Sequence, residues 1–573
     1  YSCYIELNSR FKIVNGEKKS KKFRIEETIK RSFEPISRKE IHLVWPDIAQ
    51  ETIKKVIKNL LNENKIKKIG NFKDARYKRN WYGSTTQNDE NVVIFWYSNK
   101  SGGFMKNLTR VLTVLIASIL VSLFALYTPI PNTEDEGIYN SKLAIEYISE
   151  IASEPHSVFD AEAHEDVRLY LKDKLEEFIG SENVYEMDYD RSVVELYNEE
   201  SDELTYDIHN LLGIIPGTSD TAILLVGHYD SRGHIGRTGE LGNSYGAADD
   251  GYAIAFMLEV ARLYGEKNIE NTIYILMTDA EETGLYGAQM AAQEDFMDNV
   301  GFIINIEARG VQGPVYMFET STGNEKITDF YKNAELPVSY SLATAVYTVM
   351  PNSTDFTKFL EQDKNGVNFA VLNGLYYYHT PLDNFTNINQ SSIEHYGVQI
   401  LPLVEEFAMN SEYSDVDFFD ANNDQVFFTF LPNVFIAYNE LTATIIHFIS
   451  LLALLGLVVV MVKKKEIKIS KIGKSKALIL GTIISVAILG RIIGGLVAFI
   501  SKVPYDLTYV RTNYGDLPTL LTLIFITVSL GYLYKKYAGN IRKEILIAGA
   551  FINILLAILT GLVLSGASFL FLV

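Results

Sequence analysis

The chain has 573 residues, a formal net charge of −19 and one cysteine, Cys3. That length exceeds one ordinary domain, and the acidity argues against a nucleic-acid-binding protein overall. The single cysteine excludes an internal disulfide and a cysteine-built zinc finger.

Residues 1–104 read differently from the rest. The segment SRKEIHLVWPDIAQETIKKVIKNLLNENKIKKIGNFKDARYKRN gives helix, turn, helix and a basic hairpin, with Ile41, Val44, Ile48, Ile53, Val56, Ile57, Leu60 and Leu61 forming a helical apolar stripe. It resembles a winged helix-turn-helix like that of some Fic-type proteins. Its basic residues allow DNA contact, with protein contact the plainer alternative. Met105-Lys106-Asn107-Leu108 looks like a natural start, and residues 1–104 are expected to be an upstream reading frame fused to the remainder of the chain.

Val111 to Ile130 is a charge-free run of bilayer-spanning length, placing a transmembrane helix within residues 105–130. A cleaved signal peptide is the alternative. At least four more spans are expected within residues 439–573, near Leu441–Val462, Ala477–Ile500, Leu517–Leu533 and Ile545–Val563. Arg491 inside one of them is costly, and either pairs within the bundle or serves function. Lys463, Lys464, Lys465, Lys468, Lys471, Lys474 and Lys476 follow the first of these four, and Lys535, Lys536, Arg542 and Lys543 precede the last. By the positive-inside rule these loops are cytoplasmic, so residues 131–438 face outside or into a lumen. The apolar ending SGASFLFLV suggests that the membrane part continues beyond Val573.

Five segments of the exported part carry metal-binding residue types. They are LLVGHYD with His228 and Asp230, GAADDG with Asp249 and Asp250, MTDAEETG with Glu281 and Glu282, NIEARG with Glu307, and YYYHTPLD with His379 and Asp383. Four of them close apolar, strand-like runs, and helical stretches such as Gly251–Tyr264 lie between. This alternation predicts a layered α/β domain with a mostly parallel or mixed sheet, whose strands present ligands at their carboxyl ends. Imidazole nitrogen and carboxylate oxygen suit zinc. Two zinc ions sharing one carboxylate, with a free carboxylate to take a proton from water, form a hydrolytic site. Adjacent glutamates suit that division of labour. Asp250 reads as the N-cap of the helix after it. His156, His164, His209 and His234 have no motif partner and read as surface or loop residues. His164-Glu165 lacks the second histidine of an HExxH zincin, and neither Gly-x-Ser-x-Gly nor a phosphate loop is present.

These segments resemble the co-catalytic zinc exopeptidases (peptidase family 28 of the metallo class). They are most similar to its membrane branch, that of endoplasmic-reticulum metallopeptidase and vacuolar membrane protease, which also carries one span before the peptidase domain and several after it. The resemblance covers roughly residues 140–410. It implies that His228 and Glu307 bind one zinc, Glu282 and His379 a second, and Asp249 bridges both. It also implies that Glu281 is the general base and acid and that Asp230 orients the His228 ring. Asp383 would support His379. Glu307 stands where many relatives have Asp. Asn352 and Asp355, in the block VMPNSTDFTKFLEQDKNGVNFA, are candidates for shaping the substrate pocket or for a structural turn. Arg309 would hold a substrate carboxylate or pair with acidic neighbours. The resemblance thus implies a membrane-anchored zinc peptidase acting on peptide chain ends, with aminopeptidase activity favoured. Cobalt and manganese are possible substitute metals. Glutaminyl cyclisation with one zinc, a non-catalytic receptor on the same fold, and a transcriptional sensor that uses residues 1–104 remain alternatives.

Overall fold

The computed structural model describes residues 20–32, 35–69, 75–79, 127–132, 138–193, 206–235, 240–241, 243–350, 352–502 and 541–571, with residues 113, 116–120, 123, 524 and 528. Most of the expected spans Val111–Ile130 and Leu517–Leu533 lies outside the described residues, as do Met105 to Arg110. The chain divides into two units, residues 1–110 and 111–573.

In the first unit, helices Lys21–Arg31, Arg38–Val44 and Gln50–Asn62 accompany a three-stranded antiparallel sheet of Ile36–Ser37, Ile66–Ile69 and Arg76–Arg79. Ser37 caps the second helix through a capping box with Glu40. Of the apolar stripe, Ile41, Ile48, Ile53, Ile57 and Leu60 are buried.

The second unit is built on a mixed seven-stranded sheet. Its strands are β1 (Val184–Tyr189), β2 (Ile208–Ile215), β3 (Ser219–His228), β4 (Asn271–Thr278), β5 (Val300–Ala308), β6 (Gln312–Thr320) and β7 (Gly366–Asn373), in spatial order β6-β7-β5-β3-β4-β2-β1. The four central strands, β7, β5, β3 and β4, are parallel, and β6 pairs antiparallel with β7, β2 with β4 and β1 with β2. Runs such as AILLVGH and TIYILMT show no polar alternation because helices cover both faces of the sheet. Ile223, Leu225, Ile273, Ile275 and Ile304 point into one apolar layer, and Ala222, Leu224, Val226, Tyr274 and Leu276 into the other, the period of two expected of strands. The first layer is closed by α1 (Ser141–Ile151), α2 (Ala161–Ile179), α3 (Gly251–Tyr264) and α6 (Gln390–Met409). α3 is apolar around nearly its whole circumference, which suits its burial. The second layer takes Phe356 and Phe359 of α5 (Asp355–Leu360), while α4 (Ser341–Tyr347) lies against β6.

Among the described residues, three helices are long and apolar enough to cross a membrane: Glu440–Lys463, Ile469–Ile500 and Arg542–Val563. Beyond the last of these, Ser565–Phe571 returns to the domain. There Ser341 Oγ donates to the Gly566 carbonyl (2.7 Å), and the Phe569 ring stacks on Phe428 at 4.9 Å.

The turn after β4 is held from behind by Asn210 of β2. Its Oδ1 accepts from Asp279 N–H (3.0 Å), and its Nδ2 donates to the Gly287 carbonyl (2.9 Å). A Cβ at Gly287 would lie 2.3 Å from the Asp279 carbonyl oxygen and 2.4 Å from Asn210 Oδ1, so no side chain fits without moving this turn. Gly287→Ala is therefore expected to cost about 1–3 kcal/mol and lower the thermal midpoint by several degrees. Gly456→Ala, with nothing within 4 Å of its new methyl, is the neutral control. Equal midpoints for the two variants would contradict this packing.

Candidate metal centre

Each parallel strand delivers its polar residues at its carboxyl end. His228 is the last residue of β3, Glu281 and Glu282 follow β4, Glu307 is the penultimate residue of β5, and His379 follows β7. Asp249 precedes the amino end of α3 in the loop beside them. Two neighbouring backbones are bent into the left-handed region, Ala280 at φ 57° and His379 at φ 56°. That conformation is uncommon for residues with a side chain and clusters at functional sites.

The donor atoms form two triads. His228, Asp249 and Glu307 each bring one within 4.8 Å of the others, and so do Asp249, Glu282 and His379. Asp249 belongs to both. Its Oδ1 lies 3.5 Å from His228 Nε2, while its Oδ2 lies 3.3 Å from His379 Nε2. His379 Nε2 is also 3.1 Å from Glu282 Oε2, and His228 Nε2 is 3.9 Å from Glu307 Oε2.

The surrounding hydrogen bonds leave these atoms free. His228 Nδ1 sits 2.9 Å from the Asp230 carbonyl oxygen, which can only accept, so Nδ1 carries a hydrogen and Nε2 is the nitrogen turned to the donor set. His228 Nε2, Asp249 Oδ2, Glu282 Oε1 and His379 Nε2 are all buried without a hydrogen-bond partner. Buried polar atoms are rarely left unpaired. Two groups of nitrogen and oxygen donors, each with three protein ligands, suit zinc with a position left open.

Residues 210–404 match Peptidase family M28. Over 329 residues, 55% of this chain and 33% of the relative, the chain is 28% identical to a vacuolar membrane protease of Candida dubliniensis. Over 489 residues, 79% of this chain and 46% of the relative, it is 26% identical to the vacuolar membrane protease of Debaryomyces hansenii. The chain thus matches between a third and a half of the length of these relatives. Among solved structures, a Zn-dependent exopeptidase from Parabacteroides distasonis is similar at 20% identity and a TM-score of 0.38, covering 48% of this chain and 100% of that one. A Tannerella forsythia glutaminyl cyclase is similar at 20% identity and a TM-score of 0.38, covering 47% and 98%.

Several supporting residues of this domain differ from expectation. The Asp230 carboxylate lies 3.5 Å from the His228 ring but receives the backbone N–H groups of Glu281 (3.0 Å) and Glu282 (3.3 Å). It fixes the glutamate turn, while its own carbonyl orients His228. Asp383 likewise serves Asp249 and not His379, since its oxygens accept from Ala248 N–H (2.8 Å) and Asp249 N–H (3.1 Å). Asp250 stands at the N-cap position of α3 but makes no capping bond. Both its oxygens are buried and unpaired, and Oδ2 would meet a Cβ at Gly227 at 3.0 Å.

His156 and His164 are buried, not at the surface. His164 Nε2 pairs with Asp279 at 2.8 Å, and the other Asp279 oxygen accepts from His209 N–H (2.9 Å). His209 lies on β2, and His234 on a two-residue strand, His234–Ile235. Asp355 is buried under the site and accepts from the Thr278 hydroxyl, whereas Asn352 is exposed. Three neighbours had no sequence motif to mark them. The Tyr378 ring stacks on His379 at 3.6 Å, Arg232 pairs with Glu282 Oε2 at 3.2 Å, and Tyr347 packs under Arg309.

The electrostatics show what the cluster lacks. Burial, opposed by His228 and reinforced by Asp249, pushes the Glu307 carboxyl up to about 8. Burial also lifts Glu281 well above the carboxylate range, with Glu307, Glu282 and Asp355 adding to the rise. Burial disfavours a charged His228, yet Asp230 and Asp249 outweigh it and raise its pKa. Such a pocket retains protons wherever no cation takes their place.

Asp383→Ala should free the backbone of Asp249 and weaken zinc binding about 10- to 100-fold, read by competition with a chromophoric chelator. Unchanged affinity would contradict its supporting role. Glu319 of β6 is 6% exposed, accepts from Asn368 Nδ2 (3.0 Å), and is pushed by burial from 4.5 up to about 7. The folded chain therefore keeps a proton that the unfolded chain has lost, and stability falls as pH rises from about 4.5 to 7. Glu319→Gln should raise the unfolding midpoint at pH 8 but hardly at pH 4. An equal effect at both would contradict this ionisation.

Proposed function

We propose that the chain is a membrane-anchored zinc peptidase that hydrolyses peptide bonds at chain ends, acting as an aminopeptidase. The observation that carries this reading is Asp249, whose two oxygens face two different imidazoles at 3.5 and 3.3 Å. His228 and Glu307 would hold one zinc, Glu282 and His379 the other, and Asp249 both. When bound there, zinc supplies Lewis acidity, polarising a carbonyl and making water a better acid.

The chain's own residues do the rest. Glu281 lies beside the donor set without belonging to either triad. Its carboxyl, made more basic by burial and by neighbouring charge, takes a proton from the attacking water. It then gives that proton to the amine nitrogen as the C–N bond breaks. Asp230 keeps this glutamate in place through the Glu281 backbone N–H. Two triads around a shared carboxylate favour this reading over a one-zinc glutaminyl cyclase, and a full set of donors favours it over a non-catalytic receptor.

The basic residues Lys463 to Lys476 follow the Glu440–Lys463 helix, which supports a multi-pass arrangement with those residues in the cytoplasm and the peptidase domain lumenal or extracellular.

Full-length protein in detergent, assayed on short peptides with free and acetylated amino ends, tests this reading. Cleavage should require the free amine and stop when a chelator removes zinc. Glu281→Gln should keep two zinc ions per chain by elemental analysis while losing about 10²- to 10⁴-fold in kcat. Full activity in that variant, or in metal-free protein, would contradict the mechanism.

A further inference from the structure

Three of the arginines buried or half-buried in the domain have a carboxylate in contact. Arg168 pairs with Glu165 at 2.7 Å and also with Glu186, Arg262 with Glu259 at 2.7 Å, and Arg232 with Glu282 at 3.2 Å. Arg309 differs. Among the described residues no carboxylate lies within ion-pair distance of it, and its Nε is buried with no hydrogen-bond partner. Its Nη2 reaches two neutral acceptors, the Tyr347 hydroxyl (3.2 Å) and the Ser353 carbonyl (3.4 Å), and the guanidinium lies 5.5 Å from the centre of the Tyr347 ring.

The location gives this cation its meaning. Arg309 is two residues beyond Glu307, just past the end of β5. Tyr378, Tyr347, Glu307 and Glu281 are the charged and titratable groups that act on it. One of them, Tyr378, stacks its ring on His379. Arg309 is half-buried, and a guanidinium partly withdrawn from water with no anion in contact is costly. Tyr347 and Ser353 fix one edge of its planar fork and leave other N–H groups open for a ligand that offers two oxygens.

We infer that Arg309 binds a carboxylate of the substrate and so makes the site selective for short peptides that present an anion close to the bond being cut. This rests on the peptidase reading above. The carboxylate has two possible sources, the free carboxyl end of a di- or tripeptide or an acidic side chain. Arg309 is then a specificity-determining residue, and it takes no part in moving protons.

The test uses full-length, zinc-loaded protein and three tripeptides: neutral side chains with a free carboxyl end, the same peptide as its amide, and the amide with glutamate as the residue after the scissile bond. The wild-type chain should prefer a carboxylate-bearing peptide over the neutral amide by about 10- to 100-fold in kcat/KM, the worth of one charge-assisted pair. The favoured peptide, free acid or glutamyl amide, identifies the source. In Arg309→Met the preference should collapse toward one, mainly through KM. Arg309→Lys should recover part of it, which a merely structural role would not produce. Equal use of all three peptides by the wild-type chain, or an unchanged preference in Arg309→Met, would overturn the inference.

Calorimetric binding of the same peptides to Glu281→Gln makes the comparison without turnover. Absent hydrolysis with acid-over-amide binding would fail the peptidase reading and keep the carboxylate site. Hydrolysis without any preference would fail the site alone, and absence of both would overturn both.

Discussion

Too many carboxylates are buried in one place. Asp249, Glu282 and Glu307 converge with Glu281 beside them, Asp250, Asp230 and Asp383 stand behind, and Asp355 lies beneath. His228 and His379 are the only imidazoles in the two triads. Buried anions are strongly unfavourable unless paired. The fold assembles this cluster at the open ends of four parallel strands and stiffens it with backbone N–H groups. What it omits is enough positive charge. Zinc would provide that charge, and with it come the proposed activity, the role of Glu281 and the need for an elaborate supporting shell.

The shell explains how a loop site stays accurate. Asp230 ties the turn after β4 to the end of β3 by accepting two N–H groups, from Glu281 and Glu282. Asp383 ties the His379 loop to the amino end of α3 by accepting two more, from Ala248 and Asp249. Asn210 and the His164–Asp279 pair secure the β4 turn from the opposite side. Each clamp joins segments far apart in sequence, so the two triads keep their spacing although every donor residue but His228 and Glu307 lies outside a strand.

These clamps also mark the limit of what could be read from residues alone. Strand runs without polar alternation announced buried parallel strands, and a polar residue closing each run marked the candidate ligands, because the carboxyl end of a strand is a place that local pattern can locate. The partner of a second carboxylate is a three-dimensional matter. Asp230 sits two residues from His228, and the resemblance implied that it orients the imidazole. In the fold its carbonyl makes the shorter contact with the ring, and its carboxylate, 3.5 Å from the ring, also crosses to the turn after β4. His164 looked unremarkable on a polar helix because nothing in its neighbourhood indicates that α2 turns it toward Asp279. Asp250 has the residue type and position of a cap, yet the end of α3 is buried against β3 and its carboxylate stays inside. The apolar helices after residue 438 were legible from composition, since nothing else requires such lengths of uninterrupted apolar sequence.

The central claim is that one carboxylate is shared between two zinc ions. Anomalous diffraction at the zinc edge, from crystals of the zinc-loaded protein, addresses it directly. Two peaks are expected about 3.5–4 Å apart, one beside His228 and Glu307 and the other beside Glu282 and His379, with Asp249 between them. A single peak, or peaks that leave Asp249 without a metal contact, would contradict the account.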